Sequence, residues 1–288
     1  GLSFSEARAV NNRGQAVGDS SAAGGPPFHA VLFENGEVIP LGTLPGGFAS
    51  FAIGINDRGQ IVGASRTAVR DVHAFLWQKG EIEDLGTLLA SDHQSVARVL
   101  NSRDQVVGNS STVIGDPPAP PNRAFLWQDG VFTDLGTLGG NWAIAFGMNE
   151  RGQIVGGSFL ATGELHGFLW QDGVMTDLGT LGGTSSVAQS RFPASCNLQP
   201  DLGTLGTFSL ANGINNRGQI VGRSIAANGE DHAFVWFGDL MTDLNSVIPG
   251  GSGWTLIEAT SINSSGQIVG FGTINGQTHA FVLTPNEN

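Results

Sequence analysis

Asn56-Asp57-Arg58-Gly59-Gln60-Ile61-Val62-Gly63 decides the fold, because the chain repeats its pattern six times. Copies of Asn-x-x-Gly-Gln-x-Val-Gly span 11–18, 56–63, 149–156, 215–222 and 263–270, and a further copy, 101–108, carries Asp104 in place of the first glycine. Their starts lie 45, 45, 48, 66 and 48 residues apart. A second element, typified by His73-Ala74-Phe75-Leu76-Trp77, follows each copy and leads through a turn toward an Asp-Leu-Gly-Thr-Leu segment. It begins at His29, His73, Arg123, His166, His232 and His279. Self-similarity at a near-constant period outranks every other signal in such a chain.

Each element predicts a β-hairpin. Apolar residues such as Phe51-Ala52-Ile53-Gly54-Ile55 precede the asparagine, and Gln60-Ile61-Val62-Gly63 follows it. The intervening Asn-Asp-Arg-Gly suits a type I turn closed by a left-handed glycine. In the second element, Gln128-Asp129-Gly130 separates two runs of β-formers, and Asp-Gly is a strong turn signal. No window keeps a 3.6-residue apolar period, so helix is expected to be negligible.

Four short strands per repeat, six times over, predict an all-β fold: a six-bladed β-propeller of four-stranded antiparallel blades. It is expected to occupy 1–288 as one domain, with repeats starting near residues 5, 50, 95, 143, 208 and 256. The first strand of each repeat ends at the asparagine and is expected innermost, because Ala7, Ala52, Ala97, Ala145, Ala211 and Ala259 share one slot there. Small side chains suit the place where blades converge. Two irregularities stand out. The stretch 184–207 holds an extra Asp-Leu-Gly-Thr-Leu at Asp201 and reads as a degenerate insert. The chain also stops after the third strand of its last repeat, so that blade is expected to be incomplete or closed by the N-terminus.

Composition narrows the function. With 25 acidic and 13 basic side chains the net charge is −12, which disfavours nucleic acid as a partner. A chain of 288 residues can bury a sizeable core unaided, and the lone Cys196 allows no internal disulfide. No apolar run approaches the ~20 residues needed to span a bilayer. The opening Gly1-Leu2-Ser3-Phe4 is no leader peptide, so the protein either stays inside the cell or has lost a leader.

The triplets at His73, His232 and His279, with Asn-x-x-Gly-Gln-Ile-Val-Gly and Asp-Leu-Gly-Thr-Leu-Gly-Gly, resemble the HAF family of probable extracellular repeats. The likeness covers nearly the whole chain except 185–200. His29-Ala30-Val31 and His166-Gly167-Phe168 depart slightly, and Arg123 replaces the histidine of the third copy. The resemblance implies an extracellular or periplasmic location in bacteria, and it brings no reaction and no catalytic residues.

Repeat symmetry explains most residues that invite chemistry. Five histidines share one slot, which spreads them over different blades where they cannot converge on a metal. They are expected to pair with Asp84, Asp134, Asp177 and Asp243. His93 reads as a solvated turn residue. Trp77, Trp127, Trp170 and Trp236 end the third strand and should pack blade on blade. Trp142 and Trp254 sit between repeats, either as apolar plugs or as platforms for sugar stacking. Ser20, Ser65, Ser110, Ser158 and Ser224 occupy Gly-x-Ser slots but lack the strand-to-helix elbow of a hydrolase nucleophile.

Two groups escape that explanation. Arg13, Arg58, Arg103, Arg151 and Arg217 share the third turn position and would ring one mouth of a propeller, beside Asp57 and Glu150. Guanidinium groups suit carboxylates and sulfates. The competing reading is a solvated turn. On the first strand one slot varies freely: Arg8, Ile53, Arg98, Phe146, Asn212 and Thr260. Two residues before it, Glu6 and Glu258 replace apolar residues. Charged groups on an inner strand must be solvated or paired. Glu6, Arg8, Arg98, Asn212, Glu258 and Thr260 are therefore the candidates to line a channel, with Glu6 and Glu258 as a paired-carboxylate site or as part of an ion-paired seam with Arg8.

Two functions follow. One is a secreted or surface propeller that binds anionic carbohydrate or another protein without catalysis. The other is a secreted hydrolase or lyase acting from the channel on an ester, lactone or anionic glycan. Fold alone does not separate them. No cofactor is evident, a structural calcium is compatible with the sequence, and a monomer is expected.

Overall fold

The turn motif closes on itself before it touches anything else. In the second repeat the Asn56 N–H donates to the Gln60 carbonyl (3.1 Å) and the Gly59 N–H to the Asn56 carbonyl (3.0 Å). Asn56 Oδ1 accepts from the N–H groups of Arg58 (3.0 Å) and Gln60 (3.1 Å), while Nδ2 donates to Gln60 Oε1 (2.7 Å). The amide offers an acceptor and a donor on separate atoms, whereas an ionised aspartate only accepts and would leave the Nδ2 contact unmade. Gly59 takes φ +81°, and Asp104 stands at φ +61° in the third repeat, a conformation aspartate tolerates better than most residues.

The computed structural model describes residues 2–22, 26–114, 121–182 and 208–285. The insert 184–207 and Cys196 fall outside them. The chain divides into two compact units, Gly1–Asp134 and Leu135–Asn288, each holding three repeats. The first unit comprises β1 (Leu2–Val10), β2 (Ala16–Ala22), β3 (Phe28–Glu34) and β4 (Glu37–Gly42); β5 (Ser50–Ile55), β6 (Ile61–Arg66), β7 (Val72–Gln78) and β8 (Glu81–Gly86); and β9 (Gln94–Leu100), β10 (Val106–Ser111), β11 (Asn122–Gln128) and β12 (Val131–Asp134). The second comprises β13 (Gly139–Met148), β14 (Ile154–Leu160), β15 (Leu165–Gln171) and β16 (Val174–Asp177); β17 (Ser209–Ile214), β18 (Ile220–Ile225), β19 (Asp231–Phe237) and β20 (Leu240–Asp243); and β21 (Trp254–Ile262), β22 (Ile268–Ile274) and β23 (Gln277–Leu283). Consecutive strands of each repeat pair antiparallel. Among the described residues the helical content is one 3-10 turn, Leu244–Ser246, and no helix is long and apolar enough to cross a membrane.

Within each unit the first strands of successive repeats pack side by side, whereas the fourth strands hardly meet and are largely exposed. The small residues of the first strand make that approach possible: Gly54 lies against the Arg98 carbonyl, and Gly147 against the backbone of Asn212 and Gly213. The first strand is therefore the inner one in each unit, as the shared alanine slot predicts.

The core is one junction repeated. Val62, Ala74, Leu76 and Leu85 pack on Ala97, Leu100, Val106, Phe125 and Trp127 of the following repeat. Val221, Ala233 and Leu244 pack in the same way on Leu256, Ala259, Ile262, Ile268 and Phe281. Burial of each such large side chain stabilises by about 1.5–3 kcal/mol. Serines staple the same junctions. Ser65 Oγ accepts the Leu44 N–H (3.0 Å) and donates to the Ala49 carbonyl (3.2 Å), and Ser158 and Ser224 repeat the arrangement.

The expected histidine–aspartate pairs form. His73 Nδ1 meets Asp84 Oδ1 at 2.9 Å, His166 meets Asp177 at 2.9 Å, and His232 meets Asp243 at 2.6 Å. In the third repeat Arg123 Nη1 replaces the imidazole and donates to Asp134 at 2.9 Å. The Asp84 hydrogen bond holds the His73 imidazole above its ordinary value, against the opposing effect of burial. Burial acts to raise Asp84, but hydrogen bonds from His73 and the Gly86 N–H outweigh it and hold that carboxyl low. The pair thus contributes fully between the ordinary values of 3.8 and 6.5. Its contribution is lost as pH rises through the raised His73 value, and again as pH falls through the lowered Asp84 value. Urea midpoints of wild type and His73→Ala, measured across that range and beyond it, should differ most in the middle and least at both ends. A difference independent of pH would refute the linkage.

Candidate functional site

The freely varying slot of the first strand has a backbone cause. Register slips between Ala7 and Ala9, Ala52 and Gly54, Ala97 and Val99, Ala145 and Gly147, Ala211 and Gly213, and Ala259 and Ser261. Arg8, Ile53, Arg98, Phe146, Asn212 and Thr260 are thus the extra residues of six β-bulges. A bulge frees its side chain from the ladder and re-aims it, so the slot is released from the packing rule that fixes its neighbours.

These bulge residues are tied down in different ways. Arg8 Nε donates to Asp19 Oδ1 (2.9 Å) and its Nη2 to Glu6 Oε2 (3.3 Å), so Glu6 belongs to an ion-paired seam on the first repeat. Arg98 Nε donates to Asn109 Oδ1 (3.1 Å). Asp19 and Asn109 are buried and occupy the same slot of the second strand. Asn212 Nδ2 donates to Glu258 Oε1 and to the Ala259 carbonyl, both at 3.0 Å, bridging the fifth and sixth repeats. Thr260 Oγ1 donates to the Val269 carbonyl (3.3 Å) and stays exposed.

Glu258 does not line an open surface. It is 2% exposed, and it faces Arg223, itself 4% exposed, with Nε and Oε2 3.8 Å apart. The Arg223 guanidinium also lies 3.8 Å from Asp231 Oδ2 and 4.8 Å from the centre of the Phe208 ring. Desolvation pushes the Glu258 carboxyl up, against the Arg223 charge and the Asn212 hydrogen bond. Glu258 Oε2 accepts no hydrogen bond among the described residues. Arg223 does not stand out by its place in the repeat, because it fills the middle of a Gly-x-Ser slot. Yet that slot varies as freely as the bulge: Asp19, Ala64, Asn109, Gly157, Arg223 and Phe271. Variability of that slot, like that of the bulge on the first strand, is the signal that marks Arg223. Glu6 lies in the first unit and Glu258 in the second, each with its own cationic partner.

The turn arginines are all exposed. Arg58 pairs with Asp104. Arg13, Arg103, Arg151 and Arg217 make no ion pair among the described residues. Asp57 is held low first by the Asn12 backbone N–H and then by the Asn12 side chain, with Arg13 adding its charge. What aligns these turns is the motif asparagine. Asn11 Nδ2 donates to the Asn56 carbonyl (3.0 Å) and Asn56 Nδ2 to the Asn101 carbonyl (3.2 Å). Asn149 reaches Asn215 (3.0 Å) and Asn215 reaches Asn263 (3.1 Å) in the same way. Arg13, Arg58 and Arg103 therefore stand on adjacent, hydrogen-bonded turns of one unit, and Arg151 and Arg217 on those of the other.

Trp142 is fully buried among Ile144, Phe159, Leu165 and Leu210, which removes it as a sugar platform and makes it a plug. Trp254 is half-buried against the last junction and meets His279 edge-on at 6.2 Å. His93 is exposed but not merely solvated: its Nδ1 lies 3.2 Å from Asp71 Oδ1. No three His, Cys, Asp or Glu side chains converge as a metal would need among the described residues.

No family model matches this chain, and no curated protein matches it. Among solved structures it is similar to a gluconolactonase from Xanthomonas campestris, at 11% identity and TM-score 0.44, over 98% of this chain and 86% of that one. A mutant of Aleuria aurantia lectin in complex with Fucα1-6GlcNAc gives 10% and 0.42, over 96% and 91%. A puromycin-hydrolysing peptidase of Mycobacterium tuberculosis gives 12% and 0.46, over 96% of this chain and 44% of that one. At such distances none of these speaks for an activity here.

Proposed function

We propose that the six repeats are blades of one β-propeller, secreted or displayed at a bacterial surface, which binds anionic carbohydrate without catalysis. The observation that carries this reading is the pair of aligned turn faces, on which exposed arginines are held in register by the asparagine hydrogen bonds. Guanidinium groups so spaced suit uronate or sulfate groups along an extended chain. Supporting it, the recurrent serines Ser65, Ser158 and Ser224 are engaged as both donor and acceptor in hydrogen bonds that join one repeat to the next. The resemblance to HAF repeats supplies the location.

Replacing Arg13, Arg103, Arg151 and Arg217 together by alanine should weaken binding of sulfated or uronate oligosaccharides roughly thirtyfold, if each exposed contact is worth about a factor of two to three. Binding should also weaken with added salt. Calorimetric titration tests both; unchanged affinity in the quadruple variant overturns the reading. The alternative, a hydrolase or lyase, draws on the desolvated Glu258 carboxyl, a common trait of general acids. Turnover of an ester, lactone or glycan that disappears in Glu258→Gln, with the fold intact, would favour it.

A further inference from the structure

The second, fourth and fifth repeats join their second and third strands by the same five-residue turn. The N–H of its first residue donates to the carbonyl of its fifth, and the N–H of its fourth to the carbonyl of its first. These distances are 2.9 and 3.0 Å in 67–71, 2.8 and 3.0 Å in 160–164, and 2.9 and 2.8 Å in 226–230. The fourth residue lies in the left-handed region. Gly163 (φ +97°) and Gly229 (φ +83°) fill that place, but the second repeat puts Arg70 there at φ +70°. The third residue differs as well. Thr162 Oγ1 donates to Glu164, and Asn228 Nδ2 to Glu230 (3.0 Å), which ties each tip to its own turn. Val69 in that slot has nothing to donate and is 76% exposed. Both departures cost stability, and a backbone outlier beside an exposed apolar side chain marks a surface kept for contact.

The turn is the middle of a wider patch on the first unit. The linker before β5 lies against it, since a Cβ on Gly46 would meet that of Ala68 at 2.7 Å and one on Gly47 the Arg66 carbonyl. This linker carries Phe48, which is 52% exposed. On the other side the Val72 N–H donates to the His93 carbonyl and the His93 N–H to the Ser111 carbonyl, both at 3.0 Å, which brings in the exposed Leu89 and Val113. All these connections leave the strands at the end away from the Asn-x-x-Gly turns, because consecutive strands run antiparallel. The acids of the patch are engaged within the chain. Asp71 faces His93, and the buried Asp92 accepts from the Leu89 N–H (3.2 Å) and from Ser110 Oγ (2.7 Å). Arg66 Nη1 donates to the Arg70 carbonyl (3.0 Å), and neither arginine makes an ion pair among the described residues. On a chain of net charge −12 this end is thus apolar and cationic.

We propose that this end of the first unit docks on an anionic lipid surface. Its apolar side chains stand on four separate connections, which suits a soft apolar phase entered by several tips at once. Arg66 and Arg70 then pair with lipid phosphates while their stems stay among the apolar side chains. The site needs only the first unit and is separate from the turn arginines.

Flotation of the full chain with vesicles of phosphatidylcholine and phosphatidylglycerol in equal parts should show saturable binding, weaker on phosphatidylcholine alone. Val69→Asn with Arg70→Gly copies the turn of the fifth repeat. This double variant should unfold at no lower urea concentration than wild type, because it removes the left-handed arginine, yet bind the vesicles about tenfold more weakly. Phe48→Ser should weaken binding as well. Alanine at Arg13, Arg103, Arg151 and Arg217 together should leave it unchanged, which separates this site from the turn faces. Absence of binding to the anionic vesicles overturns the proposal, and so does equal binding by the double variant. Self-association that the double variant abolishes, without vesicle binding, overturns it too and makes the occupant a second copy.

Discussion

Gly108→Ala should fail to fold, although it adds one methyl group. The glycine that ends each Gln-x-Val-Gly run faces the inner strand, and a Cβ there would fall on the Val96 carbonyl oxygen and against the Phe125 ring. Gly18, Gly63, Gly156, Gly222 and Gly270 meet the same obstacle. A side chain could turn aside, but a carbonyl within a hydrogen-bonded ladder cannot, so relief requires parting β9 from β10. That places the expected loss above about 4 kcal/mol, beyond ordinary overpacking of about 1–3 kcal/mol. Gly130→Ala is the matched control. It has open space around the new methyl group and pays only for φ +79°, about 1 kcal/mol. Circular dichroism and urea unfolding of both variants decide the point; a Gly108→Ala protein as stable as Gly130→Ala would show that the strands can separate cheaply.

The second large effect is at the junction of the fifth and sixth repeats. Arg223→Ala should cost about 3–5 kcal/mol, because it leaves the Glu258 carboxylate buried without its cation. Replacing the pair together should recover most of that loss. The preceding junction shows how: Gly157 and Leu210 occupy the same two slots there, and a Cβ on Gly157 would touch the Leu210 side chain. Arg223→Gly with Glu258→Leu copies that apolar solution and should unfold within about 1 kcal/mol of wild type, since apolar replacements of buried ion pairs are often neutral or better. The pH dependence has a definite sign. Glu258 is raised on folding, so its contribution is present below the ordinary value of 4.5 and is lost as pH rises through the folded value. Wild type should therefore lose stability relative to Glu258→Gln across that interval. If the double variant is as damaged as the single one, the pair is more than a substitute for apolar packing.

The hairpins, the inner strand, the aromatics that pack one repeat on the next and the His73–Asp84 type of pair were legible because repetition turns six weak local signals into one strong one. Positions that must pack alike are written alike. The bulge residues were visible only as variability: Arg8 and Phe146 share no chemistry, and nothing in their identity announces a backbone irregularity. Arg223 was hidden for the opposite reason, since a flanking Gly and Ser made it look like part of a pattern. Trp142 shows a further limit. Its place between repeats says nothing of burial, which depends on Phe159 and Leu210 arriving from other strands.

The asparagine contacts between turns take no account of how much chain lies between them. Asn11 reaches Asn56 across 45 residues and Asn149 reaches Asn215 across 66, both at 3.0 Å. Length added between two turns is thus invisible to the junction, at a closure cost that grows only with its logarithm. Such a scaffold tolerates grafting: its connecting segments can be lengthened or exchanged between successive asparagines without renegotiating the core, which makes them the natural ground on which new recognition surfaces arise.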